Sequence, residues 1–227
     1  MGFTAAQYQA TINEINVNLS KIDSGLERVR QVVNKQLEKD PLLGPALKMA
    51  FNKIVDLTAK GVEKIQSALK AAAIPLVMNR HEDTWLKLRG QADGVATTLA
   101  AQLNKYDTSW KGIAGGAYHK GVGQQPAAAG AITTKATSIA AACTSIRNAA
   151  YVFYLALGTA LASLLVAFLT ASTVAGPIGA AVTFVIAIAV ALLGLLLNLG
   201  AAEKSLQGAS GGGTALPGNH WPPATTT

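Results

Sequence analysis

The chain has 227 residues, half of them apolar and only 14% charged, and it carries a net charge of +7. Soluble domains usually carry about a quarter charged residues, so this composition excludes an ordinary charged surface over the whole length. The single cysteine, Cys143, excludes an intrachain disulfide; its alanine-rich setting suits a small packing residue rather than a reactive thiol.

The charge is unevenly placed. Of the 31 charged residues, 29 lie in residues 1–147, and the other two are Glu203 and Lys204. A positive surface favours anionic lipid or nucleic acid. Here Lys and Arg alternate with Glu and Asp along helical stretches, with no basic cluster interleaved with aromatics. No nucleic-acid partner is therefore expected. The start, Met1-Gly2-Phe3-Thr4-Ala5-Ala6, has neither the basic and apolar run of a secretory signal nor the myristoylation pattern. Export, if it occurs, is expected to need no cleaved N-terminal signal.

From the N-terminus, Ile12, Ile15, Leu19, Ile22, Leu26, Val29 and Val33 are spaced by alternating threes and fours, a heptad seam. Asp40-Pro41 stops that helix, and Gly44 and Pro45 make a turn. A second helix is expected from about Ala46, with Leu47, Phe51, Ile54, Val62, Ile65 and Leu69 as its stripe, broken or kinked at Pro75. Asn79 followed by Glu82 has the form of a capping box and is expected to start a third helix. Its stripe is Trp85, Leu88, Ala92, Val95, Leu99, Leu103 and Tyr106. Each helix is amphipathic and needs a partner, so an antiparallel bundle is expected.

Glycines 115, 116, 121, 123 and 130, with Pro126, argue against a continuous helix there. A fourth helix follows, seamed by Ile132, Ala136, Ile139, Cys143 and Ile146. Trp110-Lys111-Gly112, set between two helical stretches, resembles the WXG family of small helical-hairpin substrates of type VII secretion, with Ala114, Ala117 and Tyr118 fitting the residues that often follow the turn. The resemblance covers residues 78–147. It implies that Trp110 and Gly112 build a bend between antiparallel helices and that export uses no cleaved signal. The family's Tyr-x-x-x-Asp/Glu tail motif is absent after the hairpin.

Residues 148–202 contain no charged side chain. Ala149–Ala175 and Ile178–Leu199 are apolar or small, separated by Gly176-Pro177. Each exceeds the roughly 20 residues that cross a bilayer core. Tyr151, Phe153 and Tyr154 stand where an aromatic belt would lie. The side chains expected to enter the membrane are these three with Leu161, Leu165, Phe168, Pro177, Phe184, Ile188, Leu192 and Leu196. The linker, Ser172 to Pro177, carries no charge across. Ala156, Gly158, Ala160, Ala162, Ala187 and Ala191 are small residues at helical spacing, expected to allow close helix packing. Any pore would be lined by Thr159, Ser163, Thr170 and Thr183, or by the charged helices.

Chemistry is sparse. His81-Glu82-Asp83 lacks the second histidine of a zinc-protease helix, because Trp85 stands there. Gly121-Val122-Gly123 follows no strand, so it is not a dinucleotide fingerprint. No enzyme, cofactor or metal is expected.

The expected fold is all-α: an amphipathic helical bundle or coiled coil in 1–147, a transmembrane apolar hairpin in 148–202 and a disordered tail in 203–227. The expected function is a secreted membrane-inserting protein acting on a lipid bilayer as a homo-oligomer, with pore formation as its extension and a helical partner chain as a further candidate. The alternatives are a resident inner-membrane scaffold or type VII secretion accessory, and a soluble adaptor that keeps the hairpin buried.

Overall fold

The structure is a computed structural model that describes residues 4–109 and 111–211, without the side chains of 106–109 and 209–211. It is all-α, with no strand among the described residues. Helix α1 spans Ala5–Leu19, α2 Ile22–Lys39, α3 Gly44–Leu69, α4 Ile74–Ser109, α5 Ile113–Val122, α6 Gln125–Leu169 and α7 Ala175–Gly211, with a 3-10 turn at Pro41–Leu43.

The heptad seam is divided between two helices. Thr4 caps α1 through its hydroxyl, which accepts from Gln7 N–H at 3.2 Å. The run Asn16-Val-Asn-Leu-Ser20 then weakens the helix, because Asn and Ser side chains compete for backbone groups. Ser20 Oγ donates to Val17 O at 2.7 Å, and α2 begins two residues later. Asp40 ends α2 and accepts from Leu42 N–H at 3.1 Å. Pro45 occupies the first turn of α3, where a missing N–H costs nothing.

Three boundaries differ from expectation. Pro75 does not break a helix but sits in the first turn of α4, so Asn79 and Glu82 lie inside that helix rather than at its start. The glycine-rich stretch is helical: α5 covers 113–122, and α6 begins at Gln125 with Pro126 beside it. Gly123 makes that short join possible, since a β-carbon there would lie 2.7 Å from His119 O. The tail is helical as far as Gly211, because α7 runs on past Glu203; residues 212–227 of the expected disordered tail lie outside the described residues.

The described residues divide into two compact units, one made of residues up to 76 with 147–198, the other of residues 77–146 with those from 199 on. This differs from the expected division at 147. The reason is chemical: α1–α3 each present an apolar stripe, and the uncharged hairpin of α6 and α7 offers the largest apolar surface to cover it.

In the first unit one cluster joins Tyr8, Ile12, Ile15, Ile22, Val29, Val32, Val33, Ile54 and Ile65 to the hairpin side chains. The heptad residues thus form the buried seam, as their spacing implies. In the second unit the buried positions are mostly small: Ala92, Ala128, Ala129, Ala136, Ala140, Ala142 and Cys143. Leu88 and Val95 of the expected α4 stripe are exposed.

Candidate membrane-facing surface

Three side-chain meetings set the alignment of the first unit. The ring of Tyr8 lies 6.4 Å from that of Tyr151, edge-on. A β-carbon on Gly158 would lie 3.4 Å from Ile15 Cγ1. A β-carbon on Gly25 would lie 3.1 Å from Phe168 Cδ2. The partners in each pair are 143 positions apart, so α1 and α2 run alongside the second half of α6 in the same direction and in constant register. Helix α3 runs the other way: Tyr154 Oη, near the start of this stretch, donates to Ala68 O at its far end, at 2.7 Å. Helix α7 returns antiparallel to α6 after a five-residue uncharged connection, 170–174. The unit is therefore two hairpins laid side by side, one amphipathic and one apolar, with both turns at the same end.

At the opposite end three aromatics form a clasp. Tyr8 Oη donates to Ala72 O at 2.5 Å. Its ring meets that of Tyr154 edge-on at 5.6 Å, and Phe153 meets Tyr154 at 5.1 Å. The carbonyls of Ala68 and Ala72 belong to the end of α3 and the turn after it, where the regular helix ladder runs out; Ala68 O accepts from Ala71 N–H as well. Burial, and then the neighbouring Tyr154, push the Tyr8 phenol well above the usual tyrosine range.

The hairpin has an inner and an outer face. Most side chains expected in lipid lie on the inner one: Phe153, Tyr154, Leu161, Leu165, Phe168, Pro177, Phe184 and Ile188 are buried, and Tyr151 and Leu192 are half-buried. Of that set only Leu196 is exposed. Aromatic bulk is drawn inward here because α2 and α3 provide glycine seats for it, Gly25 under Phe168 and Gly61 under Phe184. The outer face is made of residues that sequence reasoning did not single out: Val152, Leu155, Val166 and Leu169 on α6, and Val182, Ile186, Val190, Leu193 and Leu197 on α7. The signal that locates it is the half-turn offset, about two residues, from the glycine-matched rings, as Val166 stands to Phe168 and Val182 and Ile186 to Phe184; reading it needs the partner helices to be known.

Two grooves flank the outer ridge of α6. One, of about 440 Å³, lies between α1 and α6 and is lined by Thr11, Glu14, Gly158 and Ala162 among others. The other, of about 570 Å³, lies between α6 and α7 and includes Ala156, Ala160, Thr183 and Ala187. Thr159 and Ser163 border both. Of the small residues expected to bring helices together, Gly158 does so, against α1. Ala156, Ala162 and Ala187 line open grooves instead, Ala160 lines one and also packs on the core cluster, and Ala191 packs on that cluster. Thr159 and Thr170 satisfy their hydroxyls locally, donating to Leu155 O and Val166 O.

Trp110 lies outside the described residues. Gly112 has a φ of 104°, a backbone conformation open to glycine alone, and it directly precedes α5. Among the described residues no three His, Cys, Asp or Glu side chains gather as a metal site.

These helices define an all-α chain with an apolar hairpin long enough to cross a bilayer. The stretches Ile113–Leu169 and Ala175–Gly208 each contain an 18-residue window of the required length and apolarity, half buried in the first and 17% buried in the second. No family model, no curated protein and no solved structure matches the chain.

Proposed function

We propose that this is a membrane-inserting helical protein: α1–α3 cover one face of the hairpin in water, and residues 149–199 transfer into a bilayer. The observation that carries this reading is the uncovered outer face of α7, from Val182 to Leu197. A permanent soluble core would bury such a helix, whereas apolar area left in water is a standing drive toward lipid or another protein.

Transfer requires the hairpins to part. Glu14, Asp23, Arg28, Lys53, Lys60 and Glu63 are exposed along α1–α3. A charged side chain at the centre of a bilayer costs roughly 2.5–3.5 kcal/mol. The amphipathic hairpin therefore stays at the surface while the apolar one enters, and the inner face exchanges α1–α3 for lipid or for the hairpins of other copies. Homo-oligomeric assembly, with Thr159, Ser163 and Thr183 toward a pore, extends this reading. So does export without a cleaved leader, as the resemblance at Trp110-Lys111-Gly112 implies.

The test is Val190→Lys in the full chain. Val190 is 64% exposed, so the folded bundle tolerates the change. The variant should match the parent in helix content and melting temperature yet lose liposome leakage. Leakage equal to that of the parent would remove the proposal. Binding by the parent without leakage would favour the scaffold alternative, and a parent indifferent to liposomes would favour the soluble adaptor.

A further inference from the structure

The constant register has a geometric result at the turn end of the unit. It sets Leu26 level with Leu169, where α6 stops. Helix α2 continues to Lys39, thirteen residues farther, or about 20 Å at 1.5 Å per residue. The turn of the amphipathic hairpin thus stands ahead of the turn of the apolar one.

That leading turn exposes apolar side chains. Leu42 is 93% exposed, Leu43 48% and Met49, in the second turn of α3, 69%. Single exposed leucines are ordinary on a protein surface. Here the turn is rigid: Pro41 and Pro45 bracket it, and the Asp40 carboxylate holds Leu42 N–H, so Leu42 is kept outward. Lys35 and Lys39 on α2 and Lys48 and Lys53 on α3 flank it in sequence and are exposed, and among the described residues none of them forms a salt bridge. The acids nearby are Glu38 and Asp40, and Asp40 is occupied by the cap. The local balance is positive.

We propose that the Pro41–Leu43 turn, with Met49, Lys35, Lys39 and Lys48, is a docking tip for an anionic lipid surface and touches the bilayer before the hairpin enters. The charge complementarity selects lipid: leucine and methionine enter the interface while the lysine ammonium groups stay at the level of anionic headgroups. The inference rests on the membrane reading above for its purpose, but its own binding step is separable.

The experiment is flotation of the full chain with phosphatidylcholine vesicles, with and without phosphatidylserine. The parent should float with the anionic vesicles, and added salt should weaken that binding. Leu42→Ser with Leu43→Ser should weaken it by about tenfold or more, with helix content and melting temperature unchanged. Val190→Lys should still float but cause no leakage, which separates docking from insertion. A second readout is an environment-sensitive dye on Leu42→Cys in a Cys143→Ala chain, whose emission should shift to the blue on anionic vesicles only. Unchanged flotation of the double-serine variant, or equal binding to both vesicle types, overturns the docking tip and leaves the hairpin proposal standing. A parent that floats with neither vesicle overturns both. Vesicle-free dimerisation that the double-serine change abolishes overturns it in favour of a second copy as the occupant.

Discussion

Phe184 of α7 sits on Gly61 of α3 so closely that a β-carbon added to that glycine would lie 2.8 Å from Phe184 Cδ1 and 3.1 Å from Cζ. The apolar helix is thus keyed into the amphipathic one by a ring on a glycine seat, and Phe168 on Gly25 repeats the arrangement on α2. Both seats hold the hairpin in its covered state.

Gly61→Ala should therefore destabilise the bundle. The overlap costs about 1–3 kcal/mol as overpacking. Alanine returns up to about 1 kcal/mol of helix propensity. A net loss of about 1–2 kcal/mol is expected by urea denaturation. Phe184→Leu in the same chain should recover part of it, because the two positions couple. Additive losses would show that the seat is not the cause.

Tyr154→Phe removes the hydroxyl that donates to Ala68 O. A hydrogen bond of this kind contributes about 0.5–1.5 kcal/mol. The carbonyl keeps its bond from Ala71 N–H at 2.9 Å, so the cost should stay in that range. Because the clasp ties the hairpin to α3, liposome leakage should also become faster. Slower leakage at equal binding would contradict the clasp as a restraint.

Alkaline pH should open the same clasp. Tyr8 is buried, and its phenol is raised above the ordinary tyrosine value of about 10. Below that value the group is protonated in folded and unfolded chains alike, and its full contribution is present. As pH rises further the unfolded chain gives up the proton first, so stability falls until the folded phenol also ionises, by up to about 1.4 kcal/mol per pH unit. Melting temperatures taken on either side of pH 10 check this, and Tyr8→Phe should flatten the decline.

Thr58 is the buried polar misfit of α3: among the described residues its hydroxyl has no hydrogen-bond partner. It stands in the stripe Ile54, Thr58, Gly61, Ile65. Thr58→Val should raise stability by about 1 kcal/mol, since an unpaired buried hydroxyl costs about that much or more. A thermal melt checks it, and a lower melting temperature would mean that the hydroxyl has a partner in solution.

Much of this architecture was legible in the chain. The spacing of Ile12 through Val33 marks a seam that is largely buried, and Leu47 through Leu69 marks another, with Ile54 and Ile65 buried and the rest half-buried against the same core. The uncharged run from 148 to 202 marks the hairpin. Local chemistry was harder to read: Pro75 has one sequence meaning as a breaker and another as a first-turn residue, and only the preceding turn at 70–73 decides between them. The glycines of 115–123 cost helix propensity of about 1 kcal/mol each, yet the segment is helical.

By itself the sequence determined that the chain is helical, that its charge is confined to the first 147 residues and the pair at 203–204, and that two bilayer-length apolar helices follow one another. These are properties of periodicity and composition, which each segment carries locally. The tertiary structure decided which face of the hairpin α1–α3 cover, and that Leu42 is exposed at the turn between α2 and α3. An apolar helix with no polar stripe has no inside or outside of its own; the distinction arises only when partner glycines such as Gly25 and Gly61 meet particular rings.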